Sequence, residues 1–182
     1  CGNDLSAWKR TMQVNLFAPV VLCQGLIPLM KRPEGASIIN LSGGGATGPR
    51  ANFSAYATAK AGLVRFSETI AEELKDQGIR VNCIAPGAMK TAMLQEVLEK
   101  GDAAGSREAS LASEVFTKGG ASMDRVADLV LFLASDASRG ISGKLISAVW
   151  DNWEQWPQHS DEISQSDVYT LRRVAGRHRH HA

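Results

Sequence analysis

Three short runs rich in β-branched residues, set between segments of helical periodicity, constrain this chain more than any other feature. SIINL (37–41) lies between glycine-containing turns, IRVNCIA (79–85) is closed by Pro86-Gly87, and the third run spans 143–149. Between the first two, Leu63, Phe66, Ile70 and Leu74 recur at three- and four-residue spacing, with Arg65, Glu68, Glu72 and Lys75 off that stripe. Such a stripe is one apolar helix face. Gly78 is placed to end this helix as a C-cap. Ser122 caps a further helix through Val126, Leu129, Val130, Phe132 and Leu133, and 89–100 reads as a short one. Strands that alternate with helices define an α/β domain whose parallel sheet is joined by right-handed crossovers. At 182 residues and 44% hydrophobic, the chain has the material for one core.

Two segments stand apart from the alternation. Asp4 or Ser6 can cap a helix that begins near Ala7, runs through the uncharged stretch 11–30 and ends before Pro33-Glu34-Gly35. That stretch matches the ~20 residues of a bilayer crossing. Gln13, Asn15, Gln24, Pro19, Gly25 and Pro28 interrupt it, so the expectation is a helix buried on several sides in a core or an interface, not a membrane span. The second segment, 150–182, carries Trp150, Trp153 and Trp156 and ends in RHRHHA. Tryptophans at every third position suit one side of a helix or 3₁₀ turn buried against the body or a second subunit. His178, His180 and His181 lack the surroundings that fix a metal, so no metal site is expected. Residues 101–121, rich in Gly, Ala and Ser, read as mobile.

Charge and cysteines narrow the function classes. With 20 Lys+Arg against 19 Asp+Glu, nothing argues for nucleic acid or an anionic membrane. Cys1, Cys23 and Cys83 fall in no CxxC pattern, which fits a reducing, cytoplasmic setting. The sequence opens on Cys1 with no secretory pattern, and the expectation is a truncated start.

The chemistry-bearing motifs lie around the first glycine-rich loop. GGGATG (43–48) has GxGxxG spacing after a strand, but Pro49-Arg50-Ala51-Asn52-Phe53 separates it from the next helix. A dinucleotide fingerprint opens directly into a helix, so that reading is set aside. Tyr56-Ala-Thr-Ala-Lys60 is more informative, because a four-residue step puts phenol and ammonium on one helix face. A phenol of pKa ≈ 10 is a poor base at neutral pH, and lowering it by ~3 units takes about 4 kcal/mol. An ammonium ~4 Å away at an effective dielectric of about 20 supplies roughly that.

Taken together, SIINLS, the glycine loop, NFSAYATAK opening a helix and IRVNCIAPGAMKT resemble the short-chain dehydrogenase/reductase family over about residues 4–149. The resemblance implies a partial Rossmann-like, doubly wound parallel sheet with flanking helices, residues 1–149, followed by an irregular C-terminal tail, 150–182. It implies Tyr56 as general acid/base and Lys60 as the residue that tunes it and bonds the nicotinamide ribose. It also implies Asn15 as the helix asparagine of a proton relay, with a structural hydrogen bond as the alternative. Pro86, Gly87 and Thr91, in PGxxxT, resemble the segment that closes the nicotinamide end, their alternative being a turn and a helix cap. The implied cofactor is NAD or NADP, the substrate a small carbonyl or alcohol, and the assembly a homo-oligomer, dimer or tetramer.

Two departures qualify this. The family's serine lies thirteen residues before its tyrosine; here that position is Gly43, with Ser42 one place early. A one-residue offset in a strand points to the other face, so Ser42 serves only if the backbone turns; Thr47, Ser54 or glycine N–H groups are the other candidates. The family's TGxxxGxG loop and first βα units are also missing, which leaves a sheet edge unpaired. The expected function is therefore hydride transfer between NAD(P)(H) and a carbonyl or alcohol. Two alternatives remain, a non-catalytic oligomerising or binding domain and a phosphate binder using 43–48.

Overall fold

The computed structural model describes residues 4–30 and 35–173. The chain starts with a helical rod, Leu5–Leu29. It comprises α1 (Leu5–Met12), a π turn (Gln13–Phe17), α2 (Ala18–Leu26) and a 3₁₀ turn (Ile27–Leu29). Asp4 is the cap, accepting from the Ser6 N–H at 3.3 Å, so the helix begins two residues before Ala7. The π turn has a local cause. Pro19 has no N–H for the Asn15 carbonyl and its ring crowds that carbonyl, so the ladder widens, and the Ala18 N–H reaches back to the Gln13 carbonyl.

The strands β1 (Ala36–Leu41), β2 (Ile79–Ala85) and β3 (Leu145–Ser147) form one parallel sheet in the order β1-β2-β3. Ala36 pairs with Ile79 and Cys83 with Leu145. Helix α3 (Ser54–Glu73) connects β1 to β2 and covers one face. There Ile79 and Val81 pack with Ile70, Ala71, Leu74 and Cys23. Helix α6 (Met123–Ala134) covers the other face, where Ile84 and Ile146 meet Val126, Leu129 and Leu133. The alternation along β2 explains this split, since successive side chains point to opposite faces. Its polar members are paired: Arg80 donates to the Leu133 and Ser135 carbonyls, and Asn82 to the Ile141 carbonyl.

Three expectations need correction. The rod is not buried within this chain: of its residues only Cys23 is buried, and Val14, Phe17, Val21, Leu22, Leu26 and Leu29 are exposed. By length and composition alone it could cross a membrane, yet Leu16 lies against Gly62 of α3 along one flank. Strand β1, expected to be buried on both faces, is half-buried because β2 is its sole partner among the described residues. The segment 101–121, read as mobile from its composition, is mostly helical. After α4 (Ala92–Lys100) it forms a 3₁₀ turn and then α5 (Ser106–Lys118), and Ala104, Ala112 and Val115 pack with Leu94 and Val97 into a small second core. Its buried stripe, Glu108, Ala112 and Val115, holds one carboxylate and one alanine, too little hydrophobicity for the period to register.

Past β3 the chain makes a 3₁₀ segment (Trp153–Gln158) and α7 (Ser160–Gln165). Trp153 and Trp156 are buried against the α6 side of the sheet as expected, whereas Trp150 is exposed. His178, His180 and His181, like Cys1 and Pro33-Glu34, lie outside the described residues.

Candidate active site

Ala36–Leu41 ends in a turn where the Ala46 N–H donates to the Gly43 carbonyl, at the end of the sheet where α3 begins. The first turns of α3 bring Tyr56 and Lys60 to it. Lys60 is buried, donates from Nζ to the Leu41 carbonyl at 2.8 Å and lies 5.6 Å from the centre of the Tyr56 ring. One acceptor leaves two ammonium hydrogens for another ligand, a donor set that suits the hydroxyls of a ribose. Burial pulls the Lys60 ammonium below its ordinary value, and the same cause pushes the Tyr56 phenol up while Arg50 pulls it back. In this arrangement the cation that opposes the effect of burial on the phenol is Arg50.

The glycine turn fits the phenol closely. A Cβ on Gly43 would overlap the Tyr56 hydroxyl oxygen, so the phenol occupies the space a side chain would take. Ser42 is not brought to it: its N–H continues the ladder to the Ile84 carbonyl, and its hydroxyl is buried without a hydrogen-bond partner. An orphaned buried hydroxyl costs about 1–3 kcal/mol. No helix opens from 43–48; the segment is a run of turns, which agrees with setting the fingerprint aside.

Asn15 sits in the π turn, which packs against α3, and donates to the Thr11 carbonyl at 3.1 Å. That is the structural bond weighed from sequence. Gly87, at φ +84°, is pressed by Val149 and Ala121, so Pro86-Gly87 ties the end of β2 to the segments before α6 and after β3. Thr91 caps α4, its hydroxyl accepting from the Leu94 N–H at 3.3 Å.

One part of the site was not legible. Arg50 forks onto the buried Glu108 of α5, Nε to Oε1 at 3.0 Å and Nη2 to Oε2 at 2.6 Å. Its guanidinium lies 4.2 Å from the Phe53 ring centre and 5.5 Å from that of Tyr56. The available signal was Glu108 itself, a carboxylate on the same helical stripe as Ala112 and Val115, which needs a cation if that stripe is buried.

A parallel three-stranded sheet between helices, with a tyrosine–lysine pair at the end of its first strand, is a doubly wound α/β arrangement. Residues 2–148 match the family model described as enoyl-(acyl carrier protein) reductase. The chain belongs to the short-chain dehydrogenase/reductase family. It is 34% identical over 147 residues to short chain dehydrogenase adrF of Penicillium roqueforti, covering 76% of this chain and 57% of that protein. It is 33% identical over 140 residues to the 3-oxoacyl-acyl-carrier-protein reductase FabG of Thermotoga maritima, covering 76% and 54%. A short chain dehydrogenase of Shigella flexneri, solved in complex with NADP, aligns with a TM-score of 0.65 at 28% identity, covering 81% of this chain and 55% of that one. The chain spans about half the length of the curated relatives it matches.

Proposed function

We propose that this chain is the catalytic-residue half of an oxidoreductase acting on a small carbonyl or alcohol with NAD or NADP. The observation that carries this reading is the pairing of half-buried Tyr56 with buried Lys60, one helical turn apart on α3, the phenol packed onto the glycine turn that ends β1. When bound, the nicotinamide supplies or accepts the hydride. In this reading Tyr56 gives its phenolic proton to the substrate oxygen in reduction and takes it back in oxidation. Lys60 holds ribose hydroxyls with the donors that Leu41 leaves free, and Pro86, Gly87 and Thr91 bound the same end of the site. Asn15 would relay protons only after releasing the Thr11 carbonyl. Ser42 is the weakest member, because its hydroxyl is buried without a hydrogen-bond partner while Gly43 abuts the phenol. Loss of one such donor costs ~10²–10³ in rate.

The unreactive, buried thiols of Cys23 and Cys83 accord with a cytoplasmic setting. We assign 1–149 to the family domain and 150–182 to an extension, and the exposed rod to a contact between copies in a dimer or tetramer.

Titration with NADH and NADPH, followed by reduced-nicotinamide fluorescence and turnover on a carbonyl panel, tests the reading. Saturable binding and a rate that Tyr56→Phe abolishes are expected; an undiminished rate in Tyr56→Phe removes the catalytic role. The exposed rod and Gly43 favour a second reading, a non-catalytic oligomerising domain, which predicts self-association with no dinucleotide binding up to millimolar.

A further inference from the structure

The fork between Arg50 and Glu108 has no place in the reading above, although it lies beside the phenol. Both side chains are largely buried, 16% and 12% exposed, and a buried charge persists when its partner satisfies it well. Two N–H groups on two carboxylate oxygens fix the guanidinium plane as well as its charge. The rest of Arg50 is wedged in place. A Cβ on Gly44 would lie 3.5 Å from its Nη1, and one on Gly45 would lie 3.2 Å from its Cβ. A second tie runs parallel to the first: Asn52, at φ +66°, donates to the Ala104 carbonyl just before α5. The loop that leads into Tyr56 is thus fastened at two points to the helix that closes the small second core.

Lys60 is engaged elsewhere, with the Leu41 carbonyl. The groups around the phenol are Arg50 from the loop before α3, Lys60 from α3 itself and Glu108 from α5, which reaches the phenol only through Arg50. We infer that Arg50 is a positioning residue for Tyr56, presenting a fixed positive charge beside its ring, and that Glu108 ties this placement to the seating of α5. The inference rests on the reading of Tyr56 as the proton-transfer group. It gives α5 a link to the site: a change in its seating reaches the phenol through one guanidinium. A cation beside the phenol favours the phenolate, and Arg50 acts in that direction against burial.

The test is the titration of Tyr56 in the full chain, independent of turnover. With only two tyrosines, 3-fluorotyrosine labelling gives two ¹⁹F resonances, which Tyr56→Phe assigns; fluorination also brings the phenol's midpoint down into a workable range. Arg50→Gln is expected to raise that midpoint by about one unit. It is also expected to speed amide exchange in Ser106–Lys118 about tenfold or more, since a buried charge-assisted fork is lost. Arg50→Lys keeps the charge but not the fork, so it restores much of the titration and little of the exchange protection. Should Arg50→Gln not fold, Glu108→Gln provides the exchange readout and Arg50→Met, which keeps an apolar stem without the charge, provides the titration with the same expected rise. An unshifted midpoint in Arg50→Gln, or exchange in α5 unchanged by either substitution, overturns the inference. Full turnover in Tyr56→Phe would remove the catalytic reading while leaving the titration result standing, so the two failures are distinguishable.

Discussion

The two edges of the sheet are finished in opposite ways. At β3 the chain closes its own edge: the Leu145 N–H donates to the Tyr169 carbonyl at 2.7 Å, and buried Lys144 reaches the Ser166 and Val168 carbonyls at 2.6 and 3.2 Å. Farther along, Glu68 of α3 accepts from the Leu171 N–H and pairs with Arg65, so the tail is strapped to helix as well as strand. At β1 no described residue pairs the outer edge, Leu41 is exposed, and the rod beside it shows water a row of large apolar side chains. Exposed edges and contiguous apolar patches mark the places where a fold expects more protein. The open side leaves strand and apolar side chains uncovered, and the strapped side is self-sufficient among the described residues.

That asymmetry makes its largest prediction for two truncations. Trp156 is buried in the cluster with Leu129, Leu133 and Ile163 and lies 4.5 Å, centre to centre, from the Tyr169 ring. Trp156→Ala is expected to cost about 3–5 kcal/mol, read as a lower midpoint in urea with unchanged slope. Leu22→Ala, on the exposed rod, is expected to stay within about 0.5 kcal/mol for an isolated chain. A loss above about 2 kcal/mol at Leu22 would break the comparison, because it would mean that the rod is covered in solution.

A smaller effect is expected from the lysine that holds the strap. Lys144→Met keeps the stem but removes the donor from two carbonyls, at a cost of about 1–3 kcal/mol. Burial pulls the Lys144 ammonium below its ordinary value, with Asp167 opposing. The unfolded chain therefore binds the proton more tightly, and this group makes folding more favourable as pH rises toward the unfolded lysine's value. The Met variant should lose that slope in a series of urea melts on the alkaline side; an unchanged slope would show that Lys144 is not the titrating group.

The sequence was legible where hydrophobic period and cap chemistry agree. The helix from Ser122 and its cap, the strand IRVNCIA and the Tyr56–Lys60 turn are found where periodicity put them. What escaped depends on contacts distant along the chain. Helix α5 is stabilised by Glu108 meeting Arg50, fifty-eight positions away, so neither residue announces the pair. The rod shows the converse limit. Apolar side chains all round a helix do signal burial, but they do not say whether the cover comes from this chain. At Gly43 the spacing marked a missing hydroxyl, while the buried, unpartnered state of the Ser42 hydroxyl needed the turn to be seen.

The smallest expected effect lies on the strapped side, where it separates packing from charge. Arg125 pairs with Glu154, both ends being more than a third exposed, and its Nε also donates to the Ala148 carbonyl while its guanidinium lies 5.4 Å from the Trp153 ring. An exposed ion pair contributes about 0–1 kcal/mol, so Glu154→Gln is expected to change stability by no more than about 0.5 kcal/mol and to be insensitive to salt. Arg125→Ala removes a carbonyl's donor and the cover over an indole, and about 1–2 kcal/mol is expected from those losses. Equal costs for the two variants would mean that charge holds the strap, and the self-sufficiency of the β3 edge would then weaken with ionic strength. A small cost at Glu154 beside a larger one at Arg125 would assign the strap to packing and main-chain hydrogen bonds, which salt leaves intact.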